Sequence, residues 1–322
     1  MQQIVIKADK KEESFNKEKL TASLLKAGAS DLLSSSAADE VDRQLKNYVN
    51  SDDIYNLALN HIKKNDPMAA LKYTLKRAIM SLGPAGFIFE KYAAKVLQQN
   101  GYSAEMPQQA LSGYCVDHEV DIVAERKDEH IMVECKYHNI SGNQSDIKTA
   151  LYINSRFLDL KKGWDNKKNN GPNDYRSDND KDGGNENNGR INNKSKNPYF
   201  IDSGNPYYNK TDNTYYFTGA WLFTNTKCTS DAIKYANCSG MKITAWNFPE
   251  NESLQFYIES KKLYPVTILS TLSQNHIRIL FEKNILTIKE LLACSLDDMM
   301  ELLSLDNDYA GKILDEISLL SS

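Results

Sequence analysis

The chain has 322 residues, 39 Lys and Arg against 43 Asp and Glu, and a net charge of −4. This length suits about two domains with room for a small third, and a hydrophobic content of 41% is enough for packed cores, which excludes wholesale disorder. The acidic balance excludes a globally basic nucleic-acid binder, while local basic surfaces stay open.

No apolar run approaches the ~20 residues of a membrane span, and the N-terminal MQQIVIKADKK lacks the apolar core of an export signal. The expectation is therefore no membrane partner. Cys115, Cys135, Cys228, Cys238 and Cys294 are odd in number and include no C-x-x-C pair. That argues against a disulfide framework and a four-cysteine zinc site. A reducing cytoplasm is the expected setting.

Residues 1–82 read as a short strand pair followed by helices. Phe15, Leu20, Leu24 and Leu25 fall at helical spacing, as do Ile54, Leu57 and Ile62. Asn50 or Ser51 is a good N-cap for the SDDIYNLALNHIKK helix, and Asp66-Pro67 ends it and starts another. Residues 83–260 change character. GFIFEKYAAKVLQQNGY is an amphipathic helix closed by Gly101. HEVDIVAE and HIMVECKY then read as two strands joined by the charged turn RKDE, and QSDIKTALYINSRFLDL reads as a helix.

Residues 163–214 are rich in Asn, Gly, Asp, Lys and Ser, too polar to offset their ordering entropy. They read as a surface insertion, mobile from about Asp165 to Ser195. Strand, helix and strand patterns follow in YYFTGAWLFTNT, TSDAIKYANCSG and MKITAWNF. These need the earlier strands as neighbours, so the insertion interrupts one domain with a mixed sheet flanked by helices. Residues 261–322 read as a small helical bundle. The fold class is α/β, or α+β overall.

Asp121 and the triplet Glu134-Cys135-Lys136 carry the chemistry. On a strand, residues two apart face one side, so Glu134 and Lys136 project together. The charged turn brings Asp121 beside them, while Cys135 faces away and offers its backbone carbonyl. Two carboxylates and a carbonyl are hard ligands for Mg2+. A metal there polarises a phosphoryl oxygen and activates water, and Lys136 can orient that water. The other reading is a salt-bridged strand pair in which Lys136 neutralises Asp121 and Glu134.

At these residues, the segment from about 84 to 250 resembles the PD-(D/E)xK nuclease superfamily, specifically Mrr-type restriction endonucleases. Glu90 in GFIFEKYAAKVL, Asp121 in HEVDIVAE, and Glu134 and Lys136 in VECKYH match the positions that form the family's metal site. HEVD stands where many members have DGxID. The resemblance implies a metal-dependent DNA endonuclease using Mg2+ or Mn2+. His118 and His138 are open to two readings, phosphate or water contact and structural hydrogen bonding.

IVIKADKKEESFNKEKL resembles the ATP-cone, a nucleotide-sensing domain, over residues 3 to 81. Unaided, the residues show a strand edge with Lys7, then Glu13, then a helix opening near Asn16 with Lys19 one turn in, a plausible phosphate cradle. Val5, Lys7, Glu13, Asn16 and Lys19 match family residues that contact nucleotide, and Ser51 and Tyr55 align with two that line the pocket. The turn reads Lys7-Ala8-Asp9-Lys10 where the family has KRDG, and Tyr55 replaces a histidine. ATP or dATP is the implied effector, acting on a homo-oligomer.

The C-terminal segment weakly resembles helix-hairpin-helix modules, although acidic residues outnumber basic ones from Lys261 on. The combined reading is a nucleotide-regulated DNA endonuclease in restriction, defence or repair. The alternative is a nucleotide-responsive DNA-binding or assembly module with an inactive nuclease site.

Overall fold

The computed structural model describes residues 3–7, 10–45, 48–84, 86–140, 142–170, 207–210 and 213–321. It opens with β1 (Ile4–Ile6) antiparallel to β2 (Glu12–Ser14). Helices α1 (Lys17–Lys26) and α2 (Asp31–Gln44) lead to β3 (Tyr48–Asn50), which lies parallel to β1. The expected strand pair is thus a three-stranded sheet. Three residues are too few to show alternation, which is why β3 is silent in the sequence.

α3 (Ser51–Asn65) begins beside the Asn50 N–H, which donates to Asp53 Oδ2 at 3.4 Å. Asp66 caps α4 (Pro67–Met80) by accepting from Ala69 N. α4 serves two cores. Ala69 and Ala70 pack with Val5, Leu24 and Ile62, whereas Leu75 and Ile79 enter a larger core built around the next helix, α5 (Phe87–Gln99).

After α5 come β4 (Ser103–Glu105), a small ladder of β5 (Leu111–Ser112) and β6 (Asp117–His118), then β7 (Ile122–Arg126) and β8 (Glu129–Lys136). The chain continues through β9 (Gln144–Ser145), α6 (Ile147–Asn170), β10 (Tyr208–Asn209), β11 (Thr214–Tyr215), β12 (Gly219–Thr224), β13 (Lys227–Cys228), α7 (Ser230–Ser239), β14 (Lys242–Thr244) and α8 (Leu254–Lys261). The main sheet has the order β14-β12-β8-β7-β4. β8, β12 and β14 run parallel, and β7 is antiparallel to β8 and β4. Alternation divides the side chains: Val133 and Phe223 face α5, while Met132 and Leu222 face α6 and α7. The mixed, helix-flanked sheet matches the sequence reading.

α6 runs on to Asn170, past the start expected for the insertion and into the stretch expected to be mobile. Gly163 explains part of this. It lies so close to Gly113 that a Cβ would meet the Gly113 carbonyl carbon at 2.6 Å, and the Trp164 ring stands 5.8 Å from that of Tyr216. The mobility expected for 171–195 falls outside the described residues.

Helices α9 (Gln274–Glu282), α10 (Ile288–Ala293), α11 (Leu296–Leu303) and α12 (Asn307–Ser321) form the C-terminal bundle. Leu280, Leu291, Leu303 and Ile313 join the core around α5. Lys95 on α5 pairs with Glu290 on α10, and Tyr92 Oη donates to the Leu263 carbonyl at 2.6 Å. Among the described residues no helix is long and apolar enough to cross a membrane.

Candidate active site

The β7–β8 register pairs Ile122 with Val133, which leaves Asp121 level with Glu134. The sequence places Asp121 inside a strand; the strand instead begins at Ile122. The reason is local. Asp121 Oδ2 accepts the Cys135 backbone N–H at 2.7 Å, so a carboxylate stands where a ladder carbonyl would. Cys135 faces the α5 core, opposite to Glu134, as alternation requires. Lys136 ends β8 with its side chain exposed.

Glu90 sits in the first turn of α5 and lines a cleft of about 250 Å3 together with Phe87, Glu119 and Asp121. Burial pushes its carboxyl up to about 7, helped by the charges of Asp121 and Glu119. Burial also raises Asp121. Glu134 is pushed up to about 8, by burial first and then by Asp121, and the neighbouring Arg156 only partly offsets this. These carboxylates thus sense one another in a poorly solvated corner, an arrangement that a cation would relieve.

Glu134 faces α6 because its side of the sheet does. Arg156 Nη1 meets Glu134 Oε2 at 2.6 Å. Glu134 Oε1 and Arg156 Nε are both buried without a hydrogen-bond partner. Sequence reasoning missed Arg156. Its signal was present as an arginine on an otherwise apolar helical face, one turn after Tyr152. Glu119 was missed as well, and its nearness to Asp121 in sequence was the available clue.

Among the described residues no three His, Cys, Asp or Glu side chains gather as a finished metal cage. The donor set still fits a hard cation. Glu134 keeps one unpartnered oxygen, Asp121 keeps Oδ1, and Mg2+ commonly takes one or two carboxylates and fills its remaining positions with water.

The histidines have structural partners. His118 Nε2 lies 2.9 Å from Asp159 Oδ2, and Asp159 also accepts from Cys115 N, tying α6 to the β5–β6 ladder. His138 Nε2 lies 3.1 Å from Ser145 Oγ, and its backbone exchanges bonds with the Asn225 side chain.

In the N-terminal unit Lys7, Glu13, Asn16 and Lys19 lie together. Lys7 Nζ meets Glu13 Oε2 at 2.5 Å and Lys19 Nζ meets Oε1 at 2.9 Å. Asn16 Oδ1 caps α1 by accepting from Lys19 N at 2.5 Å, and Val5 is buried beneath. The β1–β3 register, Ile6 with Asn50, sets Lys7 and Ser51 at one sheet end. Tyr55 stacks on Tyr73 at 4.9 Å, and the Arg77 guanidinium lies 3.4 Å from the Tyr55 ring centroid.

Three family models match in succession: ATP cone domain at residues 3–80, restriction endonuclease at 85–151, and AF1548-like C-terminal at 264–321. An uncharacterized protein of Archaeoglobus fulgidus is 32% identical over 176 residues, covering 55% of this chain and 70% of that protein. The crystal structure of a protein of unknown function, AF1548, is 26% identical, with a TM-score of 0.49 over 74% of this chain and 99% of the other. The restriction endonuclease match points to nuclease chemistry and the ATP cone to nucleotide regulation. The chain belongs to the family of the uncharacterized A. fulgidus protein, and it joins an ATP cone, a restriction endonuclease domain and an AF1548-like C-terminal domain.

Proposed function

We propose that this protein is a metal-dependent DNA endonuclease whose activity responds to a nucleotide held by its N-terminal unit. The observation that carries this reading is that Asp121 lies level with Glu134 on paired strands and lines one cleft with Glu90, with Lys136 at the adjoining strand end. Asp121, Glu134 and the Cys135 carbonyl would hold Mg2+ or Mn2+, which lowers the pKa of a coordinated water and draws charge from phosphoryl oxygens. Lys136 orients the attacking water and stabilises charge on the phosphoryl group. Glu90, near neutrality, accepts the water proton. The water oxygen bonds to phosphorus, the bond from phosphorus to the leaving oxygen breaks, and that oxygen takes a proton from solvent.

Val5, Lys7, Glu13, Asn16, Lys19, Ser51 and Tyr55 form the proposed nucleotide site, with ATP or dATP as ligand. Restriction of foreign DNA or repair is the context this chemistry suits, with the chain acting as a homo-oligomer.

The Arg156–Glu134 ion pair favours a second reading, in which a permanent internal cation has silenced the site and the protein is a nucleotide-responsive DNA-binding or assembly module. Supercoiled plasmid with Mg2+ or Mn2+ separates the two. Nicking by the wild-type chain that is lost in Lys136→Ala and Asp121→Asn supports the nuclease. No nicking by the wild type, or equal nicking by Lys136→Ala, sinks it.

A further inference from the structure

We propose that Arg156 is the phosphate-binding cation of this site: it rests on Glu134 until DNA arrives and then holds the phosphate to be cut. The inference rests on the nuclease reading above. Arg156 lies beyond residue 151, where the match to restriction endonucleases ends, so that match gives it no role.

The geometry is an ion pair that is incomplete on both sides. Arg156 and Glu134 side chains are 12% and 9% exposed, and only one nitrogen–oxygen contact, at 2.6 Å, joins them. The pair leaves a donor, Arg156 Nε, and an acceptor, Glu134 Oε1, both buried and unpartnered. A buried pair kept for stability alone would satisfy its remaining donors and acceptors, because each orphaned group carries its full desolvation cost. A spare donor on a guanidinium calls for an anion, and a spare carboxylate oxygen calls for a cation. A phosphodiester arriving with a divalent ion supplies both. Guanidinium also suits phosphate by geometry, since its planar fork matches two phosphate oxygens. Tyr152, 62% exposed, stands one helical turn away with its ring 5.3 Å from the guanidinium.

The opposing account is that Arg156 only neutralises Glu134. The two accounts part at saturating metal, where a bound cation neutralises Glu134 in its place. Full-length wild type, Arg156→Gln and Arg156→Lys are compared in three assays: Mn2+ binding by calorimetry, anisotropy of a fluorescent duplex in Ca2+ across a salt series, and plasmid nicking at saturating Mn2+. Arg156→Gln is expected to bind Mn2+ at least as tightly as wild type, because a positive charge has left a ligand's side. It should bind the duplex more weakly, with a log–log salt slope shallower by about 0.9. It should nick roughly 100-fold more slowly. Arg156→Lys keeps the charge on Glu134 and guards against misfolding of the neutral variant. It too should stay slower than wild type, for want of the fork. Nicking by Arg156→Gln at the wild-type rate, or loss of its Mn2+ binding, overturns the inference and leaves the nuclease standing. Absence of nicking by wild type overturns the nuclease reading and this inference with it.

Discussion

Tyr137 donates its hydroxyl to the carbonyl of Met80 at 2.5 Å, joining the residue after Lys136 to the last residue of α4. The same helix carries Tyr73 and Arg77, which enclose the Tyr55 ring at the proposed nucleotide site. One helix thus runs from the proposed nucleotide site to the residue beside Lys136, a contiguous packed path between the two. Tyr137→Phe removes a single hydrogen bond, at a cost of about 1 kcal/mol. It should nick plasmid at close to the wild-type rate without nucleotide and lose the change that ATP or dATP produces in wild type. An unchanged nucleotide response in the variant would rule out this connection.

The raised carboxyl of Glu90 gives stability a definite pH dependence. Glu90 holds its proton in the folded chain up to about 7, against 4.5 for the ordinary group. The folded state therefore binds more protons than the unfolded one between those limits, and stability falls as pH rises. It is complete below about pH 4.5 and lost as pH passes through about 7. Melting curves in EDTA between pH 5 and 8.5 should slope downward, the slope should shrink in Glu90→Gln, and Mn2+ should flatten it. A wild-type profile that is level in EDTA would mean that Glu90 is ionised throughout.

What the sequence made legible follows the range of each interaction. Asp121, Glu134 and Lys136 could be placed because strand alternation is local. The start of α1 near Asn16 and the break at Asp66-Pro67 could be placed for the same reason. Arg156 could not, since its partner is 22 residues away on β8. The true start of β7 depended on a carboxylate taking the Cys135 N–H, a tertiary contact that alternation does not encode. The extension of α6 rested on Gly163 meeting Gly113, and a glycine on a polar stretch reads from sequence as a breaker.

The C-terminal bundle read as a separate small domain, yet its leucines share one core with α5. Lys95 is nearly buried, pairs with Glu290 and donates to the Asn284 carbonyl at 2.9 Å. Glu290 in turn accepts the backbone N–H groups of Leu286 and Thr287, so one carboxylate caps α10 and holds α5. Glu290→Gln keeps an oxygen for the cap but leaves the ammonium without its counter-charge. A third of Glu290 is solvent-exposed, so the cost should be about 2 kcal/mol, below that of a fully buried pair. Urea unfolding should show a lowered midpoint with the nuclease sheet and the bundle unfolding together. Separate transitions would mean that the shared core does not couple them.

Glu13 grips Lys7 and Lys19 at once, and Lys7 above all holds its carboxyl below the usual carboxylate range. A triphosphate entering this site must draw both ammonium groups away from Glu13, trading one carboxylate for a more highly charged anion. Millimolar ATP or dATP should therefore raise the melting temperature of the wild-type chain, since a ligand that binds only the folded state stabilises it. Lys7→Ala and Lys19→Ala each remove one charged hydrogen bond, worth about 1.5–3 kcal/mol, or roughly ten- to a hundredfold in affinity. Each variant should lose most of the shift at the same nucleotide concentration while keeping its own melting temperature close to wild type, because both lysines are substantially exposed. Equal shifts in wild type and both variants would place the nucleotide elsewhere and leave this cluster as a surface ion-pair network.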